Sequence, residues 1–435
     1  MDLLPTSEMK SIMSALIIND DDSWNSSLNY GANEGDKRLH VALRSFLERR
    51  TRKDGVGDYF NAEHATINDA HNQELFITSG VSHGLELICA TSTQPGDEVW
   101  IERPTYFLAP KIFESNGLIV KALPMMSDRI DEHGDIGCID IDRLIHIIEV
   151  EGVTPPKMMY VIPSYHNPTG RTMSIKERER LASFALKHGV ILVADEVYHL
   201  LDWEIKIRDT TDSTSRRPCG VARFNSLMQN ESTETTIHPS DRIGCCVSVS
   251  SFTKIWAPGI RLGWIAAPSL IIQRIKKYGY INSQGGVAPF VGRMMTHAIE
   301  SNLLDVYLDK LRLEYADRYE LMCNILRDEP RISILSHNSP VNRRGGYFIW
   351  VQFPSDMSSE DFLTYATDNY GVKFMVGGKC DPLFAGKDAD SCGRCIRSCA
   401  RLCFADLDRE ELANATTTFV LAFRSFMSLP NPTAQ

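Results

Sequence analysis

VILVADEVYHLL, residues 190–201, decides how the rest of the chain is read. Its first five residues are apolar without alternation, the pattern of a strand buried on both faces, and the run ends at Asp195 and Glu196. A strand covered on both sides belongs to a mostly parallel sheet with helices over its two faces. Similar short runs recur outward from it: 75-LFIT, 98-EVWIE, 118-LIVKAL and 158-MMYVIP before it, and 246-CVSVS after it. Between two of them, Leu181, Phe184 and Leu186 on a charged background predict a helix over 176–187. The alternation of strand and helix from about 75 to 270 predicts an α/β fold. Farther on, 305–328 predicts one long charged helix. The runs 346-GYFIWVQF, 372-VKFMV and 400-ARLCFA predict strands around a helix at 359–369, closed by a helix at 408–426. That is a second, smaller α+β unit. The expected division is a large domain over 28–305 and a small one from 1–27 with 306–435. The stretch 203–242, rich in Asp, Ser, Thr and Arg, reads as a surface insertion.

Bulk properties narrow the function classes. The chain has 435 residues, 43% hydrophobic and 23% charged, with a formal net charge of −10. An acidic surface repels phosphate backbones, which argues against nucleic acid as a partner. The apolar runs are strand-sized and too short to span a bilayer. Met1 to Lys10 resembles neither a secretory signal nor an Arg-rich transit peptide, so a cytoplasmic protein is expected. Eleven cysteines are too sparse for a disulfide scaffold and several lie in apolar runs, which fits reduced thiols.

The chemistry gathers where strands end. In 250-SSFTKIWAPGIRLGW, Lys254 follows an apolar strand. Alone it would read as a solvated lysine. Ser251 and Arg261 beside it offer a hydroxyl and a guanidinium to a phosphate, and the Pro258–Gly259 turn folds the arginine back toward the lysine. A lysine amine next to a bound dianion suits an aldehyde cofactor with a phosphate handle, held as a Schiff base. In 161-VIPSYHNPTG, Asn167 stands past the carboxyl end of a strand, the edge where ligands bind in open α/β sheets. Asp195 ends its strand either as a helix cap or as the partner of a protonated pyridine nitrogen. Tyr198, one helical turn on, would share its face. In 75-LFITSGVSHGLEL, a strand, a Gly turn and a helix start form a phosphate site, with Ser82 and His83 as donors. For His83 the backbone is expected to matter more than the ring.

Taken in order, NYGANEG (29–35), TSGVSHG (78–84), RPTY (103–106), YHNPTG (165–170), ADEVYHLLD (194–202), SFTKIWAPGIRLGW (251–264) and RLCFA (401–405) resemble the fold-type I enzymes that use pyridoxal 5'-phosphate (PLP). The likeness is to class I/II aminotransferases of the aminoadipate-like branch, over about residues 28–425. It implies a mostly parallel sheet of the seven-stranded type, sandwiched by helices, with a smaller α+β domain. It implies transfer of an amino group between an α-amino acid and an α-keto acid, with Lys254 as the covalent link and proton shuttle. Asp195 would keep the pyridine nitrogen protonated, Asn167 and Tyr198 would bond the ring hydroxyl, and Tyr106 would stack on the ring. Ser82, His83, Ser251 and Arg261 would grip the phosphate. Arg401 would clamp the substrate α-carboxylate, with Arg397 on the same strand face as its rival. Asn167 would also reach substrate. Tyr30 would reach the phosphate of a neighbouring subunit, which implies a homodimer.

Departures from the family accompany these matches. Thr253 stands where serine is usual before the lysine, and the 203–242 insertion lengthens the Asp195-to-Lys254 interval. Family members carry a Gly-rich turn over the active site ahead of the piece that 3-LLPTSEM resembles. A chain without it is expected to bind PLP yet handle substrate poorly. Cys380, Cys392, Cys395, Cys399 and Cys403 invite a metal reading. A second clean CxxC pair is missing, so thiols without a metal are expected. The same lysine, aspartate and arginine would also serve a PLP lyase, acting on a carbon–sulfur bond or a carboxylate. A cofactor-sensing regulator of this fold would carry a DNA-binding region ahead of the first motif.

Overall fold

The computed structural model describes residues 3–19, 27–53, 73–126, 139–204, 221, 244–337, 343–383 and 391–429. The predicted insertion at 203–242 lies almost wholly outside them. Among the described residues thirteen strands run in chain order. The first eight are β1 Gln73–Thr78, β2 Glu98–Ile101, β3 Ile119–Ala122, β4 Met158–Val161, β5 Ile191–Asp195, β6 Asp202–Glu204, β7 Cys245–Ser251 and β8 Gly263–Pro268. Then follow β9 Ser333–Ile334, β10 Arg343–Gly345, β11 Phe348–Gln352, β12 Met375–Val376 and β13 Cys399–Cys403.

Seven strands form one sheet in the order β1-β8-β7-β5-β4-β2-β3. Neighbours from β3 to β7 run parallel, and β8 runs antiparallel to both β7 and β1. The unalternating runs divide by parity between two apolar layers, as strand pleating requires. Met158, Tyr160, Ile191 and Val193 enter one core; Met159, Val161, Leu192 and Ala194 enter the other. The second core is closed by helices Ile141–Glu149 and Ile175–Lys187, whose Leu144, Leu181 and Phe184 join it. Ser174 and Glu177 form a reciprocal capping box that fixes the start of the latter helix. The carboxyl ends of the parallel strands are therefore held between two rigid layers, and the site forms at that edge.

A four-stranded antiparallel sheet, β12-β13-β11-β9, follows the long helix Leu303–Leu326. A short ribbon of β6 and β10 stands beside it, and helices Ser359–Tyr370 and Arg409–Met427 pack together over its apolar residues. The helix Thr6–Asn19 packs against Pro289–Glu300. One expectation fails in part. Of 372-VKFMV only Met375–Val376 is strand, because the segment first ends a helix: Gly371 is left-handed at φ +67 and the Val372 N–H returns to the Ala366 carbonyl. The predicted helical turn from Asp195 to Tyr198 is a non-helical turn.

Candidate active site

A cavity of about 360 Å³ opens where the large sheet meets the small one. The strand ends deliver most of its polar wall: Ser82 after β1, Tyr106 after β2, Asn167 after β4, Asp195 at the end of β5, Ser251 at the end of β7 and Lys254 just beyond. Tyr198 and Arg261 also line it. From the small sheet come Phe348 and Arg401. Val81, Leu85, Phe107 and Ile162 supply an apolar lining.

Asp195 and Tyr160 point to the same side of their neighbouring strands, and the Tyr160 hydroxyl donates to Asp195 Oδ2 at 2.9 Å. The Val197 N–H donates to Oδ1 at 3.3 Å. No helix begins at Asp195, so the helix-cap alternative does not hold. Burial pushes this carboxyl up to about 6, against the stabilising Tyr160 hydrogen bond. An anion so desolvated gains most from a cation placed in the cavity beside it.

Burial has the opposite effect on Lys254, lowering the ammonium below the usual lysine range. The carboxylate of Asp195 works against that shift and the Arg401 guanidinium works with it. The ε-nitrogen of Lys254 lies 4.8 Å from the ring centroid of Tyr347, a residue the motif reading passed over. A buried lysine shifted toward neutrality is suited to nucleophilic attack and to carrying a proton.

Arg401 lies mid-strand on β13. Its Cζ stands 4.0 Å from the Phe348 ring centroid, and Nη1 donates to Asn167 Oδ1 at 2.9 Å. Among the described residues no carboxylate pairs with it, and its Nε is buried without a hydrogen-bond partner. A half-buried guanidinium with unsatisfied N–H capacity is a receptor for an incoming carboxylate. Arg397, the predicted rival, belongs to the helix Ser391–Arg397 and not to β13, and it does not line the cavity. The strand starts two residues later than that reading required.

At the other end, the expected Pro-Gly turn is a 3-10 turn, Pro258–Ile260, which ends at Arg261 in the left-handed region (φ +48). The reversal brings the guanidinium over the start of helix Val81–Ser92, where Nη2 donates to the Ser79 carbonyl at 3.2 Å. Gly80 has φ +90, and a Cβ there would stand 3.0 Å from Arg261 Nη2, so only glycine leaves the approach open. Ser251 is anchored beside this: its hydroxyl donates to the Leu262 carbonyl at 2.9 Å and accepts from the Thr253 N–H at 3.0 Å. Helix N-terminus, hydroxyls and guanidinium make an anion cradle. With a carboxylate at one end, a lysine between, and the orphaned Arg401 Nε on the far side, the donor set fits PLP with a substrate carboxylate.

Two of the expected residues lie outside the cavity. The His83 Nδ1 accepts from the Ser79 N–H at 3.0 Å, so its ring braces the phosphate loop from behind. Tyr30 stands on the surface, 89% exposed, beside a separate groove formed with Val287 and Pro289. Phe107, Phe348 and Tyr347 were not anticipated. The run of β11 is apolar without alternation, and nothing in one such strand says which face meets the cavity.

These features define a two-sheet transferase with a lysine, an aspartate and an arginine converging on a phosphate cradle. The family model for aminotransferase class I and II matches residues 9–419, and the chain belongs to that family. It is a PLP-dependent aminotransferase. Over 361 residues it is 25% identical to the 2-aminoadipate transaminase of Thermus thermophilus, covering 82% of this chain and 77% of that one. The α-aminoadipate aminotransferase of Thermus thermophilus, solved with N-(5'-phosphopyridoxyl)-L-leucine, superposes with a TM-score of 0.69 at 21% identity. That superposition covers 99% of this chain and 91% of the other, and at that identity it shows the fold. The chain is also 24% identical over 356 residues to the HTH-type transcriptional regulator NorG of Staphylococcus aureus, covering 82% of itself and 66% of the regulator.

Proposed function

We propose that Lys254 is the residue that carries the cofactor and moves the proton in this transamination, with Arg401 holding the α-carboxylate of the amino acid or keto acid. The observation behind this reading is the half-buried Arg401 with its orphaned, buried Nε, across one cavity from Lys254 and Asp195. When bound, PLP supplies an electron sink for the charge left at the substrate α-carbon. Asp195 would face the ring nitrogen and, as a buried anion, favour its protonated form. Tyr198 and Asn167 would bond the ring hydroxyl, and Asn167 also orients Arg401. Tyr106 would lie against the ring. Ser82, Ser251 and Arg261 would hold the phosphate, and His83 keeps their loop in shape. The Lys254 amine, lowered toward neutrality, would accept at Nζ the proton that leaves the substrate α-carbon and would be the group that gives it back. Phe107 and Phe348 exclude water from the Arg401 side.

The same proposal includes a homodimer in which Tyr30 completes the neighbour's phosphate site. Support comes from the exposure of Leu28 and Tyr30 beside an open groove, which a monomer would leave wet. The large domain is drawn over 28–305, the small one over 1–27 and 306–435. No helix among the described residues is long and apolar enough to cross a membrane, and the reading is completed by a cytoplasmic location. The test pairs two assays on the loaded protein. Keto-acid formation from an amino acid, dependent on an added α-keto acid, supports the reading; release of ammonia and pyruvate without one would make the chain a lyase.

A further inference from the structure

Tyr347 is the site residue that no phosphate, ring or carboxylate contact accounts for. It follows Gly346, whose φ is +79, and precedes β11. Its hydroxyl donates to the main-chain carbonyl of Lys254 at 2.9 Å and accepts from the Tyr315 hydroxyl at 3.3 Å. Tyr315 belongs to the long helix Leu303–Leu326, and its ring meets the Tyr347 ring edge-on at 5.2 Å. The ring of Tyr347 is therefore fixed by a directed chain of two hydrogen bonds. Lys254 Nζ lies over that ring, 4.8 Å from its centroid, inside the range of a cation–π contact.

We propose that Tyr347 is a positioning residue for Lys254: its hydroxyl holds the lysine main chain, and its ring face seats the ε-ammonium whenever the lysine carries no covalent partner. One residue just ahead of the small sheet thus holds both ends of the lysine. The other charged or titratable groups acting on the amine are Asp195 from the end of β5 and Arg401 with Cys403 from β13. Cys403 and Asp195 favour the ammonium and Arg401 opposes it. Burial remains as the dominant cost, and the ring quadrupole is the contact that works against it without bringing a second charge. A negatively charged seat would bind the ammonium too tightly for a group that must release its proton. A neutral ring holds the cation and lets it go.

The inference rests on Lys254 being the reacting amine, and its test is read on the lysine itself rather than on turnover. In protein loaded with pyridoxamine phosphate, Lys254 has no covalent partner. Its rate of modification by an amine-acylating reagent, followed against pH by mass spectrometry of the Lys254 peptide, gives the titration midpoint of that one amine. Removing the ring removes support for the charged form, so Tyr347→Met should lower the midpoint by about one pH unit. Tyr347→Phe keeps the ring and should stay within about 0.3 unit of the native midpoint, while kcat falls several-fold at unchanged KM because the main-chain hydrogen bond is lost. A Met variant that titrates like the native protein overturns the ring's role. Should the Met variant not fold, the Phe variant still decides: native kcat, or a midpoint shifted by a full unit, overturns the proposal. If Lys254 titrates as an ordinary exposed lysine in the native protein, the fault lies in the reading of Lys254 and not of Tyr347.

Discussion

The two sheets contribute to the site in different ways. The seven-stranded sheet places its chemistry beyond the ends of its strands: Asn167, Asp195 and Lys254 follow β4, end β5 and follow β7. The small sheet places its chemistry inside strands, with Arg401 in the middle of β13 paired to Trp350 of β11, and Phe348 at the start of β11. In the first, rigid parallel strands aim short turns at one edge, and each turn is free to take the residue the chemistry needs. In the second, a functional side chain must share a pleat with the core. Arg401 does so by lying across the Phe348 ring at 4.0 Å. The difference suggests a division of labour. In the proposed reading the fixed edge would hold the cofactor and the lysine, and the strand faces of the small sheet would hold whatever changes from substrate to product.

Variants at the fixed edge should therefore abolish chemistry, and variants on the small sheet should mainly weaken substrate binding. The largest effect is expected for Lys254→Ala. Covalent link and base are lost together, so kcat should fall by about 10³-fold or more while PLP is still retained through its phosphate contacts. Borohydride should fix the cofactor onto the Lys254 peptide of the native protein and onto no peptide of the variant. Native turnover in the variant would remove the lysine from the mechanism.

Next comes Asp195→Asn, where activity and stability should move in opposite directions. The charge acts where negative charge develops on the substrate, so kcat should fall on the order of 10²-fold with a smaller change in PLP affinity. Without cofactor the same carboxylate is a cost. Its folded value of about 6 stands above the ordinary 3.8. Between those values the folded state holds a proton that the unfolded state has released, so stability falls as pH rises through that window. Above pH 6 the penalty is fully present, on the order of 3 kcal/mol; below 3.8 it is absent. Asp195→Asn should thus raise the Tm of cofactor-free protein at pH 7.5 by a few degrees, with no gain near pH 4. A lower Tm at pH 7.5 would mean that the hydrogen bonds from Tyr160 and Val197 outweigh the buried charge.

Arg401→Gln tests the small sheet. Losing a charge-assisted, two-pronged contact should raise KM for the amino acid about 10- to 100-fold, with a smaller change in kcat. PLP affinity should hold. A drop in PLP affinity equal to the rise in KM would erase the division between the two sheets.

The same division explains what could be read from the chain and what could not. Strand ends in the large sheet are punctuated by residues with few other uses there: Asn167 before Pro168, Asp195 after an apolar run, Lys254 after a strand and before a Pro-Gly turn. Their positions were legible because periodicity and turn chemistry change at the same residues. Arg397 was misplaced because CIRSCARLC gives no break between helix and strand; the helix ends at Arg397 and β13 begins at Cys399. Tyr347 was missed for a different reason. In GYFIWVQF it reads as one more apolar strand residue, and its partner, Lys254, is 93 positions away. Only the fold brings the small sheet against the lysine. The antiparallel β8 escaped notice because 263-GWIAAP carries the same unalternating apolar pattern as its parallel neighbours.

The smallest effect is expected at His83, which lies beside the fixed edge without facing it. Its ring accepts one hydrogen bond, from the Ser79 N–H at 3.0 Å, and stands edge-on to Tyr280 at 6.1 Å. Burial lowers its pKa, so at neutral pH the ring is uncharged and contributes no cation to the phosphate. The ring acts on the cofactor only through the shape of the Ser79–Gly80 turn. One neutral hydrogen bond contributes about 0.5–1.5 kcal/mol, so His83→Ala should weaken PLP binding by no more than roughly tenfold, with kcat close to native. The loss should not depend on pH between 7 and 8, because no charge is removed there; titrating PLP into the cofactor-free variant at several pH values measures this. A protonated histidine touching the phosphate would behave otherwise, and its replacement would cost most at the acid end of that range. Such a pH dependence would move His83 from behind the loop into the cradle, and would show that the fixed edge closes further around its ligand than the strand ends alone dictate.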